Sequence, residues 1–121
     1  MQITIQTTKH IEAIDITDEI EKSIKDKKGK AVLIFCYHTT SGLLINEPNA
    51  IQDIIEAIDE IEPKLDYQHK SNAQAHIKAS LINPSILIPI EQGKIKLGQW
   101  QKIFLAEFDG PRERKINISI L

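Results

Sequence analysis

The chain is poor in the residues that mark several functional classes. It holds one cysteine in 121 residues, so no internal disulfide can form, and a reducing, intracellular setting is the expectation. Aromatic side chains make up 5%, too few for the stacking platforms that hold single-stranded nucleic acid. Charge of neither sign dominates: 15 Lys and Arg stand against 17 Asp and Glu, a formal −2 at pH 7. Nothing in that balance attracts a polyanion, so nucleic acid is not an expected partner. No apolar run approaches the roughly 20 residues needed to span a bilayer, so no membrane partner is expected either. The opening MQITIQTTKH alternates polar and apolar residues and lacks the apolar stretch of a signal peptide. Repeats, low-complexity tracts and flexible linkers are absent too. These absences leave one cytoplasmic domain spanning residues 1–121.

What is abundant is isoleucine, 24 of the 121 residues, a side chain that packs well on pleated sheets. QITIQT (2–7) alternates as a strand with Ile3 and Ile5 on one face. Thr17 is placed to cap a helix that carries Asp18 and Glu19 first and Lys25, Lys27 and Lys28 last, with Gly29 as its stop. AVLIFCY (31–37) is a continuous apolar run of strand length, read as a central strand. Pro48 opens a second helix with an apolar stripe of Ile51, Ile54, Ile55, Ile58 and Ile61, and Pro63 closes it. Asp53, Glu56, Asp59, Glu60 and Glu62 lie off that stripe and read as a solvated face. SNAQAHIKASL reads as a third helix capped by Ser71 or Asn72. ILIPI, KIKLG, QKIFLAEF and KINISIL follow as strands, with Asp109-Gly110-Pro111 a turn between the last two. The expected fold is α+β: a compact, sandwich-like, mainly antiparallel sheet with about three helices.

Chemistry must sit in particular polar residues. His38 follows a buried strand directly, His69 falls in a polar loop, and His76 lies at the start of the third helix. Three imidazoles from such positions can bind Zn²⁺ or a similar ion and leave one coordination position open. Isolated histidines on a surface or in a hydrogen-bonded core account for the same spacing. The free N–H groups at that helix start favour an anion, so Ser71 and Asn72 are candidates to hold a phosphate, against the simpler reading of N-caps. Glu107 falls in register with Ile103 and Leu105 and should face the interior, where a carboxylate needs a partner. Arg112 and Arg114 are candidates for that partner or for an anionic substrate. Cys36 alternates inside a strand and reads as an inert buried thiol. Ser41 in HTTSG lacks the flanking glycine of a nucleophile elbow.

Four stretches taken together, HTTSGLLINE (38–47), YQHKSNAQAHIKASL (67–81), ILIPIEQGKIKLGQWQ (86–101) and EFDGPRERK (107–115), closely resemble the YjbQ-like family. The resemblance covers nearly the whole chain, in order. Members are labelled secondary thiamine-phosphate synthase enzymes. It implies a homotrimer with clefts between subunits, and convergence of His38, His69 and His76 on a divalent metal. The family-matched neighbours are Thr39, Ser41, Gly42, Asn46, Asn72, Gly98, Gln99, Trp100, Glu107, Asp109, Gly110 and Arg112. Of these, Thr39, Ser41, Asn46, Asn72, Gln99, Trp100 and Arg112, with Ser71, are the expected substrate-binding set, and His38, His69, His76 and Glu107 the expected catalytic set. This chain departs from the family at Thr40 or Ser41, where alanine is common. It departs again at EIEPKLDYQHKS, shorter than the acidic, Gly-rich stretch usual before His69.

The implied reaction joins a pyrimidine diphosphate to a thiazole phosphate and releases pyrophosphate, with a cation and Arg112 on the leaving group. Imidazole ligands suit Zn²⁺, whereas Mg²⁺ would be the ion of a genuine synthase, and the two do not sit easily together. Two alternatives stand beside it. One is a metal-dependent hydrolase with Glu107 as base; the other is a trimeric module that binds metal or anion without turnover.

Overall fold

A computed structural model describes all of residues 1–121. Its elements run β1 (Gln2–Gln6), β2 (Glu12–Asp15), α1 (Thr17–Ile24), β3 (Ala31–Cys36), β4 (Ser41–Asn46), α2 (Pro48–Ile61), α3 (Ala73–Ser80), β5 (Ser85–Glu91), β6 (Lys94–Ile95), β7 (Lys102–Glu107) and β8 (Glu113–Ile120). Every strand pair is antiparallel. The strands form two sheets, β1-β8-β3-β5-β6 and β2-β7-β4. The α+β class, the antiparallel sandwich and the three helices are as expected, and β3 is indeed central. No helix is long and apolar enough to cross a membrane.

Strand β7 explains the layering. Its alternate residues Ile103 and Leu105 join the core between the sheets, where Val32, Ile34, Ile116 and Ile118 also lie. Its other face, Phe104 and Ala106, packs in a second core with Ile55, Ile58 and Ala75 of α2 and α3. Buried on both sides, β7 is the middle layer. Helix α1 closes the first core with Ile16, Ile20 and Ile24, all essentially inaccessible. The outer face of the larger sheet has no cover, and leaves Phe35, Tyr37 and Leu87 exposed.

Several local expectations are corrected. Thr17 does not cap α1. It is the first helical residue, and its hydroxyl accepts the Ile103 N–H at 2.9 Å while buried Ile16 holds the cap position. Helix α1 ends at Ile24, so Lys25, Lys27 and Lys28 lie beyond it. Gly29 answers a different need: a Cβ there would stand 2.2 Å from Ile120 Cγ2 and 2.8 Å from the Leu121 carbonyl. Ile61 ends the α2 stripe in solvent, 65% exposed. The acidic face is not wholly solvated either. Asp59 pairs with buried Lys78 at 2.5 Å. Glu62 is buried, accepts the Tyr67 hydroxyl at 2.9 Å, and has its other oxygen without a hydrogen bond. The Asp109-Gly110-Pro111 turn joins strands of different sheets; it is a corner between layers and no hairpin.

Candidate functional site

One end of the sandwich collects the polar residues. The β3–β4 loop carries His38, Thr39 and Thr40, the β7–β8 corner carries Asp109 and Arg112, and Asn72 and His76 stand at the start of α3. Beneath them lies a buried ion pair. Glu107, fully buried at the end of β7, takes two bonds from the Arg114 guanidinium of β8: Nε donates to Oε1 at 2.9 Å and Nη2 donates to Oε2. Thr7 Oγ1 donates to Oε1 at 2.7 Å and the Asp109 N–H to Oε2 at 3.1 Å. Arg114 Nη2 also donates to Thr40 Oγ1 at 2.8 Å. Burial alone would raise the Glu107 carboxyl; the donors from Arg114, Thr7 and the Asp109 amide outweigh it and hold the group below its ordinary range. Gly110 lets the corner close over this pair, since a Cβ would meet the Lys9 carbonyl at 2.2 Å and Glu107 Cγ at 2.8 Å.

Above the pair the groups are accessible. His38 Nε2 accepts the Lys115 N–H at 2.8 Å, which leaves the ring proton on Nδ1. Partial burial, then the charges of Arg114 and Lys115, lower its pKa against an opposing pull from Glu107, so the ring is held neutral. Asp109 Oδ2 accepts from Asn72 Nδ2 at 2.8 Å and from Arg112 Nη2 at 2.9 Å, and these two donors keep its carboxyl low. Arg112 Nε donates to the Asp109 carbonyl at 2.8 Å. In each arginine Nη1 alone makes no bond within the chain.

These groups line a cleft of about 290 Å³, bounded by Tyr37, His38, Thr39, Thr40, Asn72, His76, Asp109, Arg112 and Arg114. A second hollow of about 410 Å³ shares His38, Thr39 and His76 with it and continues to Ser41, Ala79, Ser80, Ile82 and Pro84. The molecule's largest concavity, about 760 Å³, is elsewhere, a broad basin beside Lys22, Lys25, Lys27, Lys28 and Lys94. It has no histidine and no buried polar side chain, so the smaller pair of hollows is the candidate site.

His38, Thr39, Asn72, His76 and Arg112 are therefore brought together, and Ser41 borders the second hollow. His69 is exposed and lines a separate hollow with Tyr67 and Lys70, though its ring lies 5.0 Å from that of His76 in an edge-to-face contact. The three histidines do not fit a shared ion as they stand. No group of three His, Cys, Asp or Glu side chains is close enough to hold one, and His38 Nε2 is committed to the Lys115 amide. Ser71 lies outside both hollows, in a small recess with His10 and Lys78, and neither it nor Asn72 caps α3 through its side chain. Asn72 is turned to Asp109 instead.

Asn46, Gln99 and Trp100 are displaced altogether. β4 pairs with β7 from Ser41↔Glu107 to Asn46↔Lys102, which puts Asn46 five residues, roughly 17 Å, from the cleft end. Gln99 and Trp100 precede Lys102 and lie beyond that far end, Trp100 65% exposed. Glu107 is corrected as a base: it does not line the cleft, and its oxygens are occupied by four donors. Sequence reasoning also missed Thr7, Tyr37 and Thr40. Alternation from Ile3 and Ile5 does carry Thr7 to the buried face; Thr40 has no comparable signal.

The whole chain, residues 1–121, matches the model of the family described as UPF0047 protein YjbQ-like. A UPF0047 protein of Archaeoglobus fulgidus is 42% identical, with both chains covered completely. The UPF0047 protein YugU of Bacillus subtilis is 39% identical over 98% of this chain and 96% of its own. Among solved structures, an uncharacterised conserved protein of the YjbQ/UPF0047 family from Clostridium acetobutylicum superposes with TM-score 0.92 at 41% identity, covering 100% of this chain and 99% of its own. A hypothetical protein from Aeropyrum pernix gives TM-score 0.91 at 32% identity, covering 100% and 96%.

Proposed function

The chain belongs to the UPF0047, YjbQ-like family, and on that footing we propose that it is a small-molecule enzyme acting on a phosphorylated substrate in the His38–His76 cleft. One observation carries the reading: two imidazoles and two guanidiniums face a single hollow, and each guanidinium keeps one nitrogen free of partners. Arg112 and Arg114 hold the phosphate through Nη1, as guanidinium donors hold oxyanions elsewhere. Because Asp109 and Glu107 already balance their charge, the site binds by directed donors more than by net field. Neutral His38 offers Nδ1–H to a developing negative charge, and His76, which lines the same cleft, moves a proton. In the synthase reaction the ring nitrogen of the thiazole phosphate forms a C–N bond as the pyrimidine's C–O bond breaks, and pyrophosphate carries away the electron pair.

A second reading is a divalent metal centre on His38, His69 and His76, favoured by the 5.0 Å approach of the last two rings. It requires the His38 ring to turn from the Lys115 amide. We also propose that the chain works as a homotrimer. The uncovered face at Phe35, Tyr37 and Leu87 adjoins the cleft through Tyr37, and the displaced Asn46, Gln99 and Trp100 could reach such a cleft only from another copy. A 13.7 kDa monomer by light scattering at micromolar concentration would overturn this.

The deciding experiment is titration of untagged protein, its metal content measured first, with phosphate, pyrophosphate and thiamine phosphate, followed by a turnover assay on the two synthase substrates. Binding below about 1 mM, roughly −4 kcal/mol, with turnover supports the enzyme. Binding without turnover leaves a non-catalytic module, and no binding removes the phosphate reading. About one tightly held ion per chain that His38→Ala releases would establish the metal centre.

A further inference from the structure

The two hollows differ in kind. The first is lined by Arg112, Arg114 and Asp109; the second, apart from the shared His38 and His76, has no ionisable side chain, only Thr39, Ser41, Ala79, Ser80, Ile82 and Pro84. A charged group moved into the second would lose water without gaining a counter-ion, whereas an uncharged ring would lose little. His38, Thr39 and His76 stand at the junction. A ligand spanning both hollows therefore passes its uncharged part beyond the histidines.

The wall of the second hollow rests on an absent side chain. Gly42 faces Ile82 so closely that a Cβ would stand 2.8 Å from both Ile82 Cγ1 and Cδ1, and 3.2 Å from the Asn83 carbonyl. The backbone cannot relieve this by sliding. Leu43 N–H donates to the Asn83 carbonyl at 2.7 Å and Asn83 N–H to the Leu43 carbonyl at 3.2 Å, which ties the two segments side by side. A methyl group at 42 must therefore displace the Ile82 side chain, and Ile82 is a wall of the hollow.

Resting on the phosphate reading above, we infer that Gly42 is a specificity-determining position. Its missing side chain lets Ile82 sit back and keeps open a second subsite for an uncharged, flat group attached to the phosphate. Neither residue touches the anion in this arrangement.

The test compares methylphosphonate with phenylphosphonate by calorimetric titration. Wild type should bind the phenyl compound at least about tenfold tighter, a modest return for burying a ring. Gly42→Ala should bring the two within about twofold by weakening the phenyl compound alone, and Gly42→Ala with Ile82→Ala should restore the preference. Should Gly42→Ala fail to fold, Ser80→Leu, on the exposed rim across the hollow, should lower phenylphosphonate affinity and leave methylphosphonate unchanged. Equal wild-type affinity for both overturns the subsite and leaves the phosphate reading standing. Binding of neither below about 1 mM overturns the phosphate reading and this inference with it.

Discussion

Two arginine–carboxylate pairs are nested across the same corner of the chain. The inner one, Glu107 with Arg114, has side chains 0% and 4% exposed; the outer one, Asp109 with Arg112, has 15% and 53%. The chemistry is identical and the depth is not. The buried pair joins β7 of one sheet to β8 of the other, and five hydrogen bonds within and around it hold Thr7, Thr40 and the corner in place. The outlying pair sits on the cleft wall, where water competes for both partners and a ligand can too. Depth sets how open each guanidinium is: Arg114 ties the two sheets together from within, and Arg112 stands half exposed on the cleft wall.

The sharpest way to break this comparison is to remove one charge from the buried pair. Glu107→Gln leaves Arg114 charged with no counter-ion, and a loss of about 3–5 kcal/mol is expected in denaturant unfolding. Glu107→Leu combined with Arg114→Met should cost markedly less, because neither charge is then stranded. A loss under about 1 kcal/mol for Glu107→Gln would mean the pair is not the keystone of the corner.

Acid provides a graded version of the same cut. The Glu107 carboxyl lies lower in the folded chain than in the unfolded one, so the folded state holds fewer protons as pH falls. Its contribution is whole above the unfolded glutamate value of about 4.3 and is lost as pH drops through the lower folded value. The stability gap between wild type and Glu107→Gln should therefore narrow below about pH 4 and stay constant above about pH 5. A gap that is unchanged down to pH 2.5 would show that Glu107 is not the group titrating.

How much of this was legible beforehand follows the range of each interaction. Glu107 could be sent to the interior because strand alternation is local, and Pro48 announced α2 for the same reason. Which arginine it would meet was open, because both 112 and 114 lie within a few residues of it in sequence and only the sheet-to-sheet crossing selects Arg114. His38 and His76 share a hollow as the family motifs imply, yet Asn46 and Trp100, from the same motifs, fall at the other end of β4 and β7. A motif conveys that residues matter together; it does not say within which copy of the chain. The contact of Gly42 with Ile82 left no trace in periodicity, since it depends on a bridge between residues forty positions apart.

The smallest effect on stability is expected at the outer pair, and there it is most informative. Arg112→Ala removes an exposed guanidinium whose bonds to Asp109 are screened by solvent, and should cost no more than about 1 kcal/mol. Asp109 stays held by Asn72, the first of its two side-chain donors, so the corner keeps its shape. Phosphate affinity in the same variant should fall by about tenfold to a hundredfold, the loss of one charge-assisted contact of roughly 1.5–3 kcal/mol. The contrast between the two measurements is the point. A variant that unfolds easily would place Arg112 with Arg114 as a structural group. One that is stable and still binds phosphate as well as wild type would leave Arg114 Nη1 as the anion donor and remove Arg112 from the site.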